Sequence, residues 1–122
     1  MSLHVLVVDD NEINLMLVAK ILELEGFRTS TACCGREAIQ NVIRDSPDLV
    51  ILDVNMPDLD GYTVCRRLRE PPVGAAMPII MLSATVEESD RRSALEAGAN
   101  DIISKPFDME DLRQRVRTLL SC

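Results

Sequence analysis

Residues 48–53 read DLVILD, a run of four apolar side chains that ends in an acid. Two similar runs stand at residues 4–9, HVLVVD, and at residues 78–83, PIIMLS. Strands that are apolar along their whole length are buried on both faces, as in a parallel sheet covered by helices. The three runs therefore predict the central strands of such a sheet.

Between these runs the apolar residues follow a helical spacing. One such segment extends from Glu12 to Glu25, and Gly26 is placed to end it. Pro71, Pro72 and Gly74 predict the loop before the fourth strand. Alternating strands and helices indicate βαβ units. We therefore expect one α/β domain over residues 1–122, a doubly wound parallel sheet with five helices in (βα)5 order. Its strands are predicted at about 4–9, 27–32, 48–53, 78–83 and 101–104.

The charge of the chain limits its partners. The 122 residues include 20 acidic and 13 basic side chains, a formal net charge of −7. An acidic surface repels phosphate backbones, so we expect no direct binding of nucleic acid. No apolar run is long enough for a membrane span, and the first strand begins too early to leave room for a signal peptide. These features favour a cytoplasmic protein with no membrane contact.

The four cysteines, Cys33, Cys34, Cys65 and Cys122, do not form a C-x-x-C pair, and the chain has a single histidine. This spacing does not support a zinc site. We expect reduced, partly buried thiols in a reducing cytosol.

Polar side chains lie at the carboxyl ends of the predicted strands, along one edge of the sheet. Asp9 and Asp10 end the first strand, Asp53 the third and Ser83 the fourth, and Lys105 follows the fifth. In doubly wound folds ligands bind beyond the carboxyl ends of the strands. Carboxylates this close repel each other unless a cation lies between them, and Mg²⁺ prefers oxygen ligands. No Walker-type or kinase-type Gly-rich loop accompanies them, so an ATP site is not predicted.

Taken singly, each of these residues has an ordinary structural explanation. Asp10 or Asn11 could cap the first helix, Asp53 could be a loop acid, and Ser83 a strand-end hydroxyl. Lys105-Pro106 alone is only a turn. Their joint position at the ends of four strands favours a functional site.

The same residues resemble a known family. Asp9-Asp10, Asp53, Ser83 and Lys105-Pro106-Phe107 are similar to the acidic pair, phosphoacceptor, hydroxyl and Lys-Pro-Phe of response-regulator receiver domains. The intervals of 43, 30 and 22 residues from Asp10 to Lys105 are usual there. The resemblance covers essentially the whole chain and implies a flavodoxin-like sheet with strand order 2-1-3-4-5.

The resemblance implies a metal-dependent phosphoryl acceptor. Asp53 would be phosphorylated by a phosphohistidine donor. Asp10, Asp53 and the backbone carbonyl of Asn55 would bind Mg²⁺ or Mn²⁺, and Asp9 would act largely through a bound water.

The resemblance also implies how the phosphoryl group is held. Lys105, Ser83 and the backbone N–H of Ala84 would contact its oxygens. Asn55 and Thr85 occupy positions that tune the lifetime of the phosphoryl group, and their small polar side chains suggest a transient one.

One position departs from the family. Many receivers carry Tyr or Phe three residues before the lysine, where this chain has Ile102. Isoleucine has neither the ring nor the polar tip of that switch residue. Either the switch runs on backbone and loop shifts, or the domain mainly relays the phosphoryl group.

The first helix offers a candidate docking surface. A spacing of 100° per residue predicts that four of its residues face the sheet. They are Leu17, Val18, Ile21 and Leu22. Met16 and Ala19, with Leu15 at the margin, are then predicted to point outward as a dock for a helical donor.

The predicted partners follow from this assignment. They are a histidine kinase or histidine phosphotransfer domain, an output domain outside this chain, and a phosphorylation-linked homodimer through the fourth and fifth helices. The chemistry would be self-directed, so the domain is not an enzyme in the usual sense, although it could belong to a hybrid kinase.

Two other function classes remain open. A haloacid-dehalogenase-like phosphatase would have a second acid two residues after the nucleophile, where this chain has Asn55. A flavodoxin-like carrier would require a phosphate-binding loop and aromatic residues for the flavin, and the chain has only two Phe and one Tyr.

Overall fold

The computed structural model describes residues 3–70 and 76–120, and strands and helices alternate throughout them. The strands are β1 (His4–Val8), β2 (Arg28–Ala32), β3 (Leu49–Asp53), β4 (Ile79–Ser83) and β5 (Asp101–Ser104). The helices are α1 (Glu12–Leu24), α2 (Gly35–Asp45), α3 (Gly61–Leu68), α4 (Glu88–Ala97) and α5 (Met109–Leu120). The predicted 71–74 loop and Cys122 lie outside the described residues.

All five strands are parallel, in the order β2-β1-β3-β4-β5. The predicted fold class and strand order are confirmed, and the predicted strand bounds agree to within one residue. Val8 pairs with Leu52, Asp53 with Leu82, and Ser83 with Ser104. Because the central strands are in register, their carboxyl ends meet at one edge of the sheet.

Alternate apolar residues of β1, β3, β4 and β5 enter one of two hydrophobic layers. Leu6 and Leu52 belong to the layer under α2, α3 and α4. Val7 and Ile51 belong to the layer under α1 and α5. Both faces of the sheet are therefore covered, which explains why β1, β3 and β4 are apolar except at His4, Asp53 and Ser83 at their ends. Among the described residues, none of the helices has the length and hydropathy needed to cross a bilayer.

Capping residues stand at the helix ends. Asn11 accepts hydrogen bonds from the N–H groups of Ile13 and Asn14 at the start of α1. Gly26, with φ of +92°, follows the end of the same helix. Asp108 accepts from the Glu110 N–H at the start of α5. Side-chain oxygens thus satisfy amides that have no partner within the helix.

The predicted orientation of α1 is wrong at two positions. Leu15, predicted at the outward margin, is 7% exposed and packs on the sheet with Val18 and Leu22. Leu17, predicted to face the sheet, is 45% exposed. The buried stripe begins with the first turn after the Asn11 cap, so the helix is rotated relative to the predicted phase.

Candidate functional site

The carboxyl edge of the sheet brings the predicted chemical groups together. Asp9 follows β1, Asp53 ends β3 and Ser83 ends β4, and their exposed fractions are 1%, 2% and 3%. Lys105 follows β5 and is half-buried. Polar groups this deeply buried require partners.

A short ion pair connects the lysine with the acidic residues. The Nζ atom of Lys105 lies 2.9 Å from Oδ1 of Asp53 and 3.7 Å from Oδ2 of Asp9. The backbone N–H of Lys105 donates to the carbonyl of Ser83 at 2.7 Å, which fixes the lysine relative to β4. The Lys105–Pro106 peptide bond is cis.

Asp9 is only partly compensated. Its Oδ1 accepts the backbone N–H of Asn11 at 2.9 Å, whereas Oδ2 has no hydrogen-bond partner among the described residues. Burial raises the pKa of Asp9, the Asn11 N–H lowers it, and the charge of Asp53 raises it further. The ionised carboxylate of Asp9 is therefore destabilised in the folded chain without a further cation.

Three carboxylates form a cluster that can hold a metal ion. Asp9, Asp10 and Asp53 each offer one oxygen, and these atoms lie within 4.8 Å of one another. Asp9 and Asp53 are buried, whereas Asp10 is exposed. This is the oxygen-rich donor set that hard divalent cations prefer.

The remaining predicted site residues lie around this cluster. The backbone N–H of Asn55 donates to Oδ1 of Asp53 at 3.4 Å, and that of Thr85 donates to Oγ of Ser83 at 3.3 Å. The residues Asn55, Ala84 and Thr85 are exposed. They border the open side of the site, where a ligand can approach Asp53.

Ile102 lies inside the protein rather than beside the cluster. It is 4% exposed and belongs to the hydrophobic layer that includes Ala94 and Ala97 of α4. The side chain at the predicted switch position therefore takes part in packing between β5 and α4.

The exposed apolar face of α1 differs from the predicted one. Met16 is 72% exposed, Ile13 is 76% exposed, and Ala19 is half-buried. A groove of 360 Å³ lies next to this face. It is lined by Asn14, Leu17, Lys105, Pro106 and Phe107. The groove thus connects α1 with the lysine of the acidic site.

A contact that sequence reasoning missed fixes the segment after β3. The carboxylate of Asp58 accepts the backbone N–H groups of Gly35 and Arg36 at 2.9 and 3.0 Å. These two hydrogen bonds lower the pKa of Asp58 to about 2. Asp58 is 23 residues from Gly35, so no local pattern in the sequence indicates the pair.

Comparisons with known proteins agree with this geometry. A protein-family model with the description response regulator receiver domain matches residues 5–117 of this sequence. The response regulator PleD of Caulobacter vibrioides is 43% identical over 98% of this chain, and the regulatory protein PhoP of Bacillus subtilis is 41% identical over 98%. This chain spans only 26% of PleD and 49% of PhoP.

Two solved structures are similar over the same extent. The signal receiver domain of a signal transduction histidine kinase from Syntrophus aciditrophicus has a TM-score of 0.89 and 36% identity, with coverage of 98% of this chain and 90% of that one. The chemotaxis protein CheY4 of Vibrio cholerae has a TM-score of 0.93 and 29% identity, with coverage of 98% and 100%. Neither the phosphatase nor the flavodoxin alternative is favoured by these matches.

Proposed function

The chain belongs to the family of response regulator receiver domains of two-component signalling, and we propose that Asp53 is its phosphoacceptor. The observation that carries the proposal is the contact between Lys105 Nζ and Oδ1 of the buried Asp53, 2.9 Å apart. An ammonium group at that distance can exchange its ion pair with the carboxylate for one with the oxygens of an incoming phosphoryl group.

We propose that Asp53 acts as a nucleophile. One of its carboxylate oxygens attacks phosphorus, and the bond between phosphorus and the imidazole nitrogen of the donor breaks. Lys105 then ion-pairs with one phosphoryl oxygen, and the hydroxyl of Ser83 and the N–H of Ala84 donate to others. Positioning and charge stabilisation supply most of the catalysis in phosphoryl transfer, so this small set of groups is sufficient.

We propose that the acidic cluster binds Mg²⁺ or Mn²⁺. The buried Oδ2 of Asp9, which has no hydrogen-bond partner among the described residues, and the proximity of three carboxylates support this assignment. Asp10, Asp53 and the carbonyl of Asn55 would be ligands, and Asp9 would act largely through water. When bound, the ion offsets the negative charges of carboxylate and phosphoryl oxygens so that the two can approach.

The lifetime of the phosphoryl group is a separate proposal. Asn55 and Thr85 are exposed at the open side of the site, so water can reach a phosphorylated Asp53. We propose a transient phosphoryl group. Replacing Asn55 or Thr85 with bulky side chains should slow its hydrolysis, as followed by the decay of the phosphorylated mass.

We propose that the donor is a histidine kinase or a histidine phosphotransfer domain. Its helix would dock on the α1 face of Ile13, Met16 and Leu17, next to the groove that reaches Lys105.

The chemistry of this domain would be self-directed, and catalysis or output would belong to domains outside it. We also propose a phosphorylation-linked homodimer through α4 and α5. The three described cysteines are free, which suits a cytoplasmic location.

The first experiment measures intact mass after incubation with acetyl phosphate and Mg²⁺. We expect one added phosphoryl group, absent in Asp53→Asn and absent with EDTA. Asp45→Asn is a matched control, because Asp45 is an exposed carboxylate paired only with Arg44 in the described part of the chain. Phosphorylation of Asp53→Asn at the wild-type level would overturn the proposal.

The second experiment separates the dock from the chemistry. Met16→Glu places a charge on the exposed α1 face, and Leu24→Glu does so at the far end of the same helix, where Leu24 is 76% exposed. We expect Met16→Glu to slow transfer from a phosphohistidine donor and to leave labelling by acetyl phosphate unchanged. Equal transfer rates for the two variants would exclude this surface.

A further inference from the structure

A second cluster of ligand atoms lies at the carboxyl edge of the sheet, next to β2. Cys33 and Cys34 connect β2 to α2, and Glu37 lies in the first turn of α2. The two Sγ atoms and a carboxylate oxygen of Glu37 lie within 4.8 Å of one another. The thiol of Cys33 donates to Oε2 of Glu37 at 3.7 Å.

We propose that Cys33, Cys34 and Glu37 form a binding site for a thiophilic divalent cation of the Zn²⁺ class. Zinc binds cysteine sulfur at about 2.3 Å and carboxylate oxygen at about 2.1 Å, so a tetrahedral ion separates these two ligands by about 3.6 Å. The observed separation of 3.7 Å matches this value. Two sulfur ligands of one tetrahedral zinc are about 3.8 Å apart, which the 4.8 Å limit of the cluster accommodates.

The electrostatics of the cluster favour a cation. The carboxylate of Glu37 raises the pKa of the Cys33 thiol, because two negative charges would otherwise face each other. A divalent cation between these groups turns that repulsion into attraction and displaces the thiol proton.

The chemistry of the donors sets this cluster apart from the acidic site. Two sulfurs and one oxygen select a borderline-soft metal, whereas the oxygen donors of Asp9, Asp10 and Asp53 select a hard one. Three protein ligands leave one position of a tetrahedral ion for water, and the exposure of Cys33 keeps that position open to solvent. The two sites should therefore fill independently.

The sequence spacing did not indicate this site, because the cysteines are adjacent rather than separated as in C-x-x-C. The third ligand comes from a helix turn, and its approach depends on how α2 begins. The carboxylate of Asp58 holds the N–H groups of Gly35 and Arg36, which fixes the start of the helix next to Cys34.

The test uses Co²⁺ as a spectroscopic probe with excess Mg²⁺ present to fill the acidic site. A thiolate ligand gives a charge-transfer band in the near ultraviolet, which carboxylate-bound Co²⁺ does not give. We expect this band to saturate at one equivalent of Co²⁺ and to disappear when Zn²⁺ is added. Cys33→Ser, Cys34→Ser and Glu37→Gln should each weaken binding by more than about tenfold, since even second-sphere changes cost 10- to 100-fold.

Two control variants make the result decisive. Cys65→Ser removes a buried thiol outside the cluster, and Asp53→Asn alters only the acidic site. Both should retain the band with unchanged affinity, and far-UV circular dichroism checks that every variant folds. Absence of the band in the wild type, or its retention at full affinity in any of the three cluster variants, would overturn the proposal.

Discussion

Replacing Asp9 with asparagine should stabilise the metal-free protein. Asp9 is 1% exposed, and its Oδ2 has no hydrogen-bond partner among the described residues. Asparagine has the same shape, and its amide oxygen can still accept the N–H of Asn11. The substitution therefore removes a buried charge with little change in packing.

The magnitude follows from the distances. At an effective dielectric constant of about 20, the attraction between Asp9 and Lys105 across 3.7 Å is about 4.5 kcal/mol. The repulsion from Asp53 within 4.8 Å is at least about 3.5 kcal/mol, and the exposed Asp10 adds a smaller amount. These charge interactions nearly cancel. What remains is the free energy of desolvation. It is several kcal/mol for a buried carboxylate and about 1–3 kcal/mol for a buried amide. We expect a net gain of about 1–3 kcal/mol.

The assay is urea unfolding followed by far-UV circular dichroism at pH 7 with EDTA. A gain of about 2 kcal/mol raises the urea midpoint by about 1 M at an ordinary slope. Asp45→Asn removes the same charge at the surface and should leave the urea midpoint close to that of the wild type. An Asp9→Asn midpoint at or below that of the wild type would refute the reasoning, because it would mean that Lys105 fully compensates the carboxylate.

The gain should depend on pH and on metal. Because the pKa of Asp9 is raised in the folded state, the wild type loses stability as pH rises from about 4 through that folded pKa. The advantage of Asp9→Asn should therefore be largest above the folded pKa of Asp9 and shrink toward pH 4. Mg²⁺ at 100 times its Kd stabilises a protein that binds it by about 2.7 kcal/mol. The same concentration of Mg²⁺ should stabilise the Asp9→Asn variant by less.

Three further predictions test the surroundings of Asp53. Asp58→Ala should lower the free energy of unfolding by about 1 kcal/mol at pH 7, as the loss of a helix cap does, and urea unfolding measures this. Because the pKa of Asp58 in the folded protein is about 2, the difference from the wild type should persist at pH 5 and shrink as the pH falls below about 4. Gly61→Ala should lower the free energy of unfolding by about 1–3 kcal/mol and slow labelling by acetyl phosphate, because the added Cβ would lie 2.5 Å from the backbone oxygen of Asp53. A variant as stable as the wild type would show that the loop moves to accommodate the Cβ. Lys105→Met should slow labelling at least about tenfold, a barrier increase of about 1.4 kcal/mol, and an unchanged rate would mean that the ammonium does not assist transfer.

The fold could be predicted because its signals are local. Each central strand is a run of apolar residues, and the caps Asn11 and Asp108 stand at the helix starts. The candidate site was also predictable, because parallel strands bring their ends to one edge whatever the details of packing. Asp9, Asp53, Ser83 and Lys105 converge for that reason.

The errors and omissions have a different physical origin. The buried stripe of α1 depends on the rotation of the helix against the sheet, and four apolar residues in a row, Leu15 to Val18, do not determine it. The contact of Asp58 with the start of α2 depends on loop conformation across the sheet edge, and the approach of Glu37 to Cys33 depends on how α2 begins. Sequence patterns report periodicity within an element and not the meeting of two loops.

The structure also bears on how a receiver without an aromatic switch residue could transmit a signal. Ile102 packs between β5 and α4, and a ring-flip mechanism is not available to it because isoleucine has no ring. The backbone of Lys105 is bonded to the carbonyl of Ser83, and Oγ of Ser83 accepts the N–H of Thr85. If Lys105 and Ser83 contact a phosphoryl group as proposed, Oγ of Ser83 would turn away from the Thr85 N–H. The segment leading into α4 would then shift through its backbone, which makes loop movement the more direct route of the two that the isoleucine leaves open.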